Sequence, residues 1–213
     1  MKKTKALFAV LTCLLVFSVG SAEAGLNKNV VPRVWGKLTS AAGLSNAGPV
    51  HLEEDKTPNA WVSFQGSAYS VHVTTGLLDI LDREDELAGV LAHEIGHIKS
   101  GHYNKTVGRG LLWYLLFRNV KDEGDFARGA FVVGMALAEA GFSREQEIEA
   151  DIYGIHLSTK AGYDPWGLYN SLLRMKKAGY ETSPSGFNSH PPTDRRLTRI
   201  RQETEAVVAS RKQ

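Results

Sequence analysis

The sequence predicts an α+β fold that is mainly helical with one small β-sheet, and two observations support this class. Apolar side chains recur at helical spacing in most segments of the chain. Residues 61–64 and 69–73 alternate polar and apolar side chains around Gly66 and Ser67, which indicates a β-hairpin. Because the strands form one small group among many helices, the class is α+β.

The first two helices are predicted on either side of this hairpin. Residues 29–42 carry an apolar stripe, with Pro32 tolerated in the first turn, and residues 46–49 are interpreted as a break. The next helix is expected to be capped by Asp82, with acidic residues in its first turn, where they suit the helix dipole. It should end near Gly101.

More helices follow towards the C-terminus. Residues 107–142 are interpreted as two apolar, glycine-rich helical segments around a charged turn. A capping box at Ser143 opens the next helix, which should extend to Gly162. A further helix is predicted over residues 164–179, and a loop rich in Pro, Ser and Gly, residues 180–192, separates it from a charged final helix.

The N-terminus has the pattern of a secretory signal peptide. Three lysines precede an apolar stretch of fourteen residues, 6–19, and Ala22 and Ala24 form a small-x-small cleavage site. A membrane-spanning helix needs ~20 apolar residues, so this stretch is short for a span. The predicted organisation is a signal peptide, residues 1–24, followed by a single domain, residues 25–213.

Composition excludes several classes of function. The chain has 25 basic and 23 acidic residues, and loss of three lysines and Glu23 with the signal leaves 22 of each. Without a basic excess, no nucleic-acid partner is expected. The only cysteine, Cys13, lies in the predicted signal, so the exported chain has no disulfide and no cysteine metal ligand. Export, together with the absence of cysteine from the exported chain, favours a periplasmic location.

The strongest functional signal is the pattern His-Glu-x-x-His on the second predicted helix. His93 and His97 are one turn apart on one helix face, so both imidazoles can reach one metal ion at ~2.0–2.1 Å. Glu94 lies beside the first ligand, where its carboxylate can accept a proton from a metal-bound water. The alternative is an ordinary helix that happens to contain these residues.

A catalytic zinc site needs a third protein ligand, and two candidates stand out. His102 follows His97 at the wrong spacing for the three-histidine pattern, so a surface role or a supporting role beside the ligands is favoured for it. Glu147 can bind the metal while Asp151, one turn later, holds the far nitrogen of a bound histidine. Taken alone, such a run of acids is more often a solvated helix face.

His190 lies in a proline-rich segment that precedes the final helix. Its side chain is either aimed into a cleft, where it would stabilise the oxyanion of a tetrahedral intermediate, or it stabilises the start of that helix. The segment alone favours neither interpretation. His51, His72 and His156 each stand alone in the sequence, and structural or surface roles are expected for them.

Three motifs together resemble one metallopeptidase family. They are His93-Glu94-x-x-His97, Ser143-Arg144-x-x-Glu147-x-x-Ala150-Asp151, and Ser189-His190-Pro191-Pro192-Thr193-x-x-Arg196. In this order they resemble the Ste-type gluzincins, which include the CAAX prenyl protease and soluble periplasmic proteases of outer-membrane quality control. The resemblance extends from about residue 59 to residue 197 and implies a mainly helical, zincin-type peptidase domain.

The resemblance also implies roles for individual residues. One zinc ion per chain would be bound by His93, His97 and Glu147, with Glu94 as the general base. Asp151 would not bind the metal itself but would hold one of its ligands. His190 would assist the transition state or gate the metal, and Arg196 would have a structural or electrostatic role.

The implied activity is zinc-dependent hydrolysis of peptide bonds in protein or peptide substrates, such as misfolded or unassembled envelope proteins. The alternative is a latent or non-proteolytic envelope chaperone or assembly-binding protein on the same fold. Peripheral contact with the membrane or with outer-membrane assembly proteins is a further hypothesis. Residues 104–142 are either a hairpin packed on the core or a flap, residues 180–192 are a candidate gate, and residues 69–74 are interpreted as the cleft edge.

Overall fold

A computed structural model shows the fold, and the structure describes residues 25–65, 68–103, 141–180 and 190–212. The predicted signal peptide, most of the segment 104–142 and most of the loop 180–192 lie outside these residues. The described elements, in chain order, are α1 (Val30–Ala41), β1 (Ala47–Glu53), β2 (Ala60–Gln65), β3 (Ala68–Thr74), α2 (Thr75–Ile80), α3 (Glu84–Lys99), α4 (Arg144–Lys160), α5 (Gly167–Lys177) and α6 (Asp194–Ser210). The predicted α+β class, mainly helical with one small sheet, is confirmed.

The sheet has three strands in the order β1-β3-β2. β2 and β3 are antiparallel, with Ala60 opposite Val73, which confirms the predicted hairpin. β1 pairs in parallel with β3 and begins where the sequence predicted only a break. It contains Pro49 because it is an edge strand whose register shifts between Ala47 and Val50, and proline is tolerated at edges and irregularities.

The central position of β3 overturns one expectation. Both sides of β3 are paired, one with β1 and the other with β2. Its backbone N–H and C=O groups are therefore used within the sheet, and the interpretation of residues 69–74 as the cleft edge is wrong. Within the described ranges, β1 and β2 are the strands that pair on one side only.

α3 is the central helix, and residues 86–98 are all buried within it. It packs against α1, α4 and α5. Its N-terminus is stabilised by Glu86, whose carboxylate accepts hydrogen bonds from the backbone N–H groups of Asp82 at 2.8 Å and Arg83 at 3.3 Å. Arg83 occupies the N-cap position, so the prediction of an Asp82 cap is wrong. As predicted, the helix ends just before Gly101, which has a φ of 65°.

α3 and α4 approach each other closely because each has a glycine at the contact. A Cβ atom on Gly96 of α3 would lie 2.8 Å from the carbonyl oxygen of Ala150. A Cβ atom on Gly154 of α4 would lie 2.9 Å from the backbone nitrogen of His93. Both distances are shorter than van der Waals contact, so hydrogen is the only side chain that fits at either position. The contact brings the acidic turn of α4 against the two histidines of α3.

The C-terminal helices begin largely as the sequence predicts. The capping box of α4 is confirmed, because Ser143 Oγ accepts from the backbone N–H of Gln146 while Gln146 Oε1 accepts from that of Ser143. α6 begins after Thr193, whose hydroxyl accepts from the backbone N–H of Arg196 at 3.3 Å. α5 begins at Gly167, slightly later than predicted.

Two apolar clusters form the core of the described domain. The larger one lies between α1, the sheet and α3, and the smaller one joins α4, α5 and α6. Ala92 and Ile95, which are close in sequence to the two histidines of α3, belong to the larger cluster, and Ile155 of α4 belongs to the smaller one. Among the described residues, no helix combines the length and the apolar character needed to cross a bilayer.

Candidate metal centre

The two histidines of α3 point to the same place. Nε2 of His93 lies 3.1 Å from Nε2 of His97, with the ring planes nearly perpendicular. His93 is 3% exposed and His97 is completely buried. This proximity follows from their spacing of one helical turn.

Glu147 reaches the same place from α4. Its Oε1 lies 3.4 Å from His97 Nε2, and its Oε2 lies 3.7 Å from His93 Nε2. Glu147 is buried on the first two turns of α4, so the solvated-face interpretation does not describe it. The α3–α4 contact therefore brings Glu147 next to His93 and His97. The two histidines are one helical turn apart, whereas Glu147 follows His97 by 50 positions.

His190 completes the group from the segment before α6. Its Nδ1 lies 2.9 Å from Glu147 Oε1 and 3.1 Å from His93 Nε2. Its Nε2 lies 3.7 Å from Glu94 Oε1. One ligand atom from each of four residues, all buried, lies within 4.8 Å of the others: His93, His97, Glu147 and His190.

The group has the chemistry and the dimensions of a zinc site. Two nitrogens that share a tetrahedral zinc ion at ~2.0–2.1 Å are ~3.3 Å apart, close to the 3.1 Å between the two Nε2 atoms. Glu147 places both carboxylate oxygens near the two histidines, with Oε1 3.4 Å from His97 Nε2 and Oε2 3.7 Å from His93 Nε2. Imidazole and carboxylate together suit zinc. The residues present therefore fit the metal.

Asp151 supports His93 from behind. Its Oδ1 lies 2.9 Å from His93 Nδ1, although the nitrogen approaches outside the angular range of a well-formed hydrogen bond. A carboxylate only accepts, so the neutral imidazole carries its proton on Nδ1 and presents the Nε2 lone pair to the centre. Asp151 is itself almost completely buried.

Arg196 of α6 links three parts of the site. Its Nε and Nη2 atoms bind the two carboxylate oxygens of Asp151 at 2.9 and 2.6 Å. Its Nη1 lies 2.9 Å from Glu147 Oε2 and donates to the backbone carbonyl of His190 at 2.8 Å. Because the guanidinium is planar and buried, it fixes these groups relative to one another. The contacts include two ion pairs, with Asp151 and Glu147, and a hydrogen bond to the backbone.

The two buried imidazoles His97 and His190 have pKa values shifted in opposite directions. Burial lowers the pKa of His97 to about 2. Burial alone would raise the pKa of Glu147, but His190, His97 and Arg196 lower it. Burial alone would lower the pKa of His190, but the negative charges of Glu147 and Glu94 raise it above the usual value for histidine.

Two aromatic residues at the site were not singled out by the sequence. The Tyr103 hydroxyl donates to Glu94 Oε2 at 2.8 Å, and burial together with Glu94 raises the Tyr103 pKa well above 10. The Phe142 ring stacks on His97 with 3.9 Å between centroids. Tyr103 and Phe142 lie close to the motifs in the sequence but belong to none of them, so no pattern indicated their role.

Other histidines lie outside this group of ligand atoms. His102 contacts Nδ1 of His97, the nitrogen on the far side from Glu147. His72 lies between Ser63 Oγ at 2.8 Å and Glu53 Oε1 at 2.7 Å, and it stacks on His51. These contacts give His72 a role within the sheet.

A comparison with known families agrees with the geometry. Residues 26–204 match the model of peptidase family M48. The chain belongs to peptidase family M48. The resemblance to a metallopeptidase family drawn from the three motifs is therefore confirmed at this level.

Three curated proteins are similar to this chain over most of its length. Metalloprotease YcaL of Escherichia coli (strain K12) is 31% identical over 183 residues, which cover 78% of this chain and 66% of the relative. Protease HtpX of Legionella pneumophila (strain Corby) is 30% identical, with 84% and 69% covered. Mitochondrial metalloendopeptidase OMA1 of Schizosaccharomyces pombe is 30% identical, with 81% and 51% covered. The chain thus spans about two thirds of the first two and half of the third.

Proposed function

We propose that this M48 protein is a zinc-dependent metalloendopeptidase that hydrolyses peptide bonds in protein substrates. In this proposal His93, His97 and Glu147 bind one zinc ion and Glu94 is the general base. The observation that carries it is the convergence of two imidazole nitrogens and a carboxylate, from two separate helices, within a few ångströms. Membership of a peptidase family and the names of the relatives agree with this activity.

Zinc in such a site lowers the pKa of water and polarises the scissile carbonyl. Glu94 accepts the proton of the attacking water at a carboxylate oxygen and transfers it to the nitrogen of the leaving amine as the C–N bond breaks. Tyr103 donates to Glu94 Oε2 and so leaves Oε1 to face the water. His190 Nε2, 3.7 Å from that Oε1, donates a hydrogen bond to the developing oxyanion.

The substrate is proposed to bind as an extended strand along β2. β2 pairs with β3 on one side only among the described residues. The backbone of Val62 in β2 lies near the Tyr103 hydroxyl, which donates to Glu94 Oε2 at 2.8 Å. A peptide added to this edge would lie beside Glu94. The proposal therefore assigns the cleft edge to β2, the neighbour of residues 69–74 in the sheet.

The finer features of the resemblance remain part of the proposal. They are a Ste-type gluzincin subgroup, export by residues 1–24, a periplasmic location, and misfolded or unassembled envelope proteins as substrates. The three motifs support the subgroup, and the basic start, apolar stretch and small-x-small site within residues 1–24 support export. Contact with the membrane or with outer-membrane assembly proteins is part of the same hypothesis.

A latent state is the second candidate, and one observation favours it. A catalytic zinc keeps one coordination position open. His190 Nδ1 lies 3.1 Å from His93 Nε2 and 2.9 Å from Glu147 Oε1, where it would be a fourth ligand. With His190 bound, water and substrate are excluded from the metal, and the protein would act as a binding protein until the His190 segment moves.

The purified protein and its Glu94→Gln variant test the proposal. Both should bind about one zinc ion per chain, but only the unmodified protein should cleave an unfolded, casein-like substrate. Cleavage at equal rates would remove Glu94 from catalysis. No cleavage by either, with zinc bound, would favour the binding protein.

His190→Ala separates the two roles of His190. If His190 stabilises the oxyanion, the variant cleaves more slowly, by about 10²–10³-fold in kcat. If His190 blocks the metal, the variant cleaves faster than the unmodified protein.

A further inference from the structure

A second line of contacts begins on the far side of His97. Its Nδ1 lies 2.9 Å from Nδ1 of His102, and His102 Nε2 lies 3.2 Å from Oε2 of Glu149. His102 is completely buried, whereas the Glu149 side chain is 58% exposed. The line therefore runs from the proposed metal centre to the surface of α4.

The chemistry of the three groups sets the direction of the hydrogen bonds. A carboxylate can only accept, so the neutral ring of His102 carries its proton on Nε2 and donates it to Glu149. His102 Nδ1 then has a lone pair and accepts from Nδ1–H of His97. The remaining nitrogen of His97, Nε2, is left without a proton and faces Glu147 at 3.4 Å.

Each zinc histidine thus has its own support, and the two supports differ. His93 faces a buried carboxylate, Asp151, that Arg196 holds in place. His97 faces an imidazole, which reaches a carboxylate only through its second nitrogen. Both acids come from α4, the helix that also supplies Glu147.

We propose that His102, oriented by Glu149, is a positioning residue for His97. It holds the proton of His97 on Nδ1 and the ring in the orientation that presents the Nε2 lone pair to the metal. Without an acceptor at this point, His97 either buries an unpaired N–H group or moves its proton to Nε2, where it competes with the metal. This inference rests on the proposed metal site, since His97 is supported there as a ligand.

Two substitutions of His102 separate hydrogen bonding from packing. His102→Leu fills the space but removes the acceptor, and we expect zinc affinity to fall about 10–100-fold. In His102→Asn the amide oxygen takes the place of Nδ1, and we expect it to restore most of the affinity. Zinc affinity is measured by competition with a chelating dye, and the unfolding temperature of the zinc-free proteins shows that each variant folds.

The exposed end of the line provides a test that does not disturb the core. Glu149→Ala removes the acceptor for His102 and should weaken zinc binding by a few-fold, while Glu149→Gln, which keeps an oxygen acceptor, should bind as the unmodified protein does. Glu145→Ala is the matched control, because Glu145 is an exposed acid one turn earlier on α4. It should leave zinc affinity unchanged.

A second readout needs no metal. Imidazole ¹⁵N chemical shifts of the zinc-free protein report which ring nitrogen of His97 carries the proton. We expect Nδ1–H in the unmodified protein and in His102→Asn, and loss of this preference in His102→Leu.

The outcomes distinguish failure of the inference from failure of the metal site. If the protein binds no zinc, or if His93→Ala binds zinc equally well, the proposed site is wrong, and the tautomer of His97 still tests the role of His102. If zinc binds at His93 but His102→Leu binds it as tightly as the unmodified protein, the inference is overturned. It is also overturned if His102→Asn is as weak as His102→Leu, because packing would then explain both.

Discussion

Asp151 and His93 face each other across the contact of α3 and α4, with Oδ1 of the carboxylate 2.9 Å from Nδ1 of the imidazole. The two residues meet because Gly154, one turn after Asp151, allows α4 to lie against the backbone of His93. Arg196 then fixes the carboxylate through both of its oxygens. The orientation of the His93 ring is therefore set by close helix packing and by a buried ion pair.

Asp151→Asn tests the electrostatic part of this support. The amide keeps an oxygen near His93 but loses the negative charge that raises the basicity of the ring, so zinc affinity should fall about 10–100-fold. The pair with Arg196 also becomes weaker, so the free energy of unfolding should fall as well. Asp79→Asn is the control, because Asp79 is an exposed acid paired with Lys56 at 3.2 Å. Equal zinc affinity for both variants and the unmodified protein would contradict the role given to Asp151.

Gly154→Ala tests the packing part. Its Cβ would lie 2.9 Å from the backbone nitrogen and 3.1 Å from Cα of His93, so α4 must move away from α3. We expect the free energy of unfolding to fall by about 1–3 kcal/mol, as for other overpacked sites, and zinc binding to weaken because Glu147 moves with α4. Urea unfolding and chelator competition measure the two effects.

The control for this substitution is Gly36→Ala in α1. A Cβ at Gly36 has no atom within 4 Å, so alanine should stabilise the exposed helix by about 0.5–1 kcal/mol. If both substitutions had the same sign and size, the close contact at Gly154 would not be limiting.

The structure brings together His93, His97, Glu147 and His190, and the sequence motifs had singled out all four. Helical spacing alone placed His93 and His97 together, and the motif of α4 indicated Glu147. The order of the strands was not predictable, since alternation shows which residues form a strand but not which neighbours it has. Tyr103 was also missed: its contact with Glu94 depends on the chain reversing at Gly101, and no local pattern encodes that path.

Tyr103→Phe tests the contribution of this missed residue. Loss of the hydroxyl removes the hydrogen bond at 2.8 Å to Glu94 Oε2 and leaves the carboxylate less well oriented. We expect kcat for an unfolded substrate to fall about 10-fold, which corresponds to ~1.4 kcal/mol in the transition state, with zinc affinity unchanged. Tyr163→Phe is the matched control, because the Tyr163 hydroxyl is buried and makes no hydrogen bond to the part of the chain that the structure describes. Equal kcat for Tyr103→Phe and the unmodified protein would remove Tyr103 from the mechanism.

The zinc-free protein should show a pH-dependent contribution of His190 to stability. Glu147 and Glu94 raise the His190 pKa above its usual value in spite of burial. A group whose pKa is raised on folding stabilises the protein fully below its unfolded pKa, ~6.5, and this stabilisation is lost as the pH rises through the folded pKa. His97 acts in the opposite direction, because its lowered pKa makes the protein less stable as the pH falls below ~6.5.

A comparison of the unmodified protein with His190→Gln between pH 6 and pH 9 tests the first contribution, because folded His97, with a pKa of about 2, is neutral throughout this range. The substitution should destabilise the zinc-free protein more at pH 6 than at pH 9, by roughly 1.4 kcal/mol for each unit by which the His190 pKa exceeds 6.5. Urea unfolding in the presence of a chelator measures the difference, with Gly36→Ala as a variant that changes no titratable group. A loss of stability that is equal at the two pH values, or larger at pH 9, would mean that the two carboxylates do not hold a proton on His190.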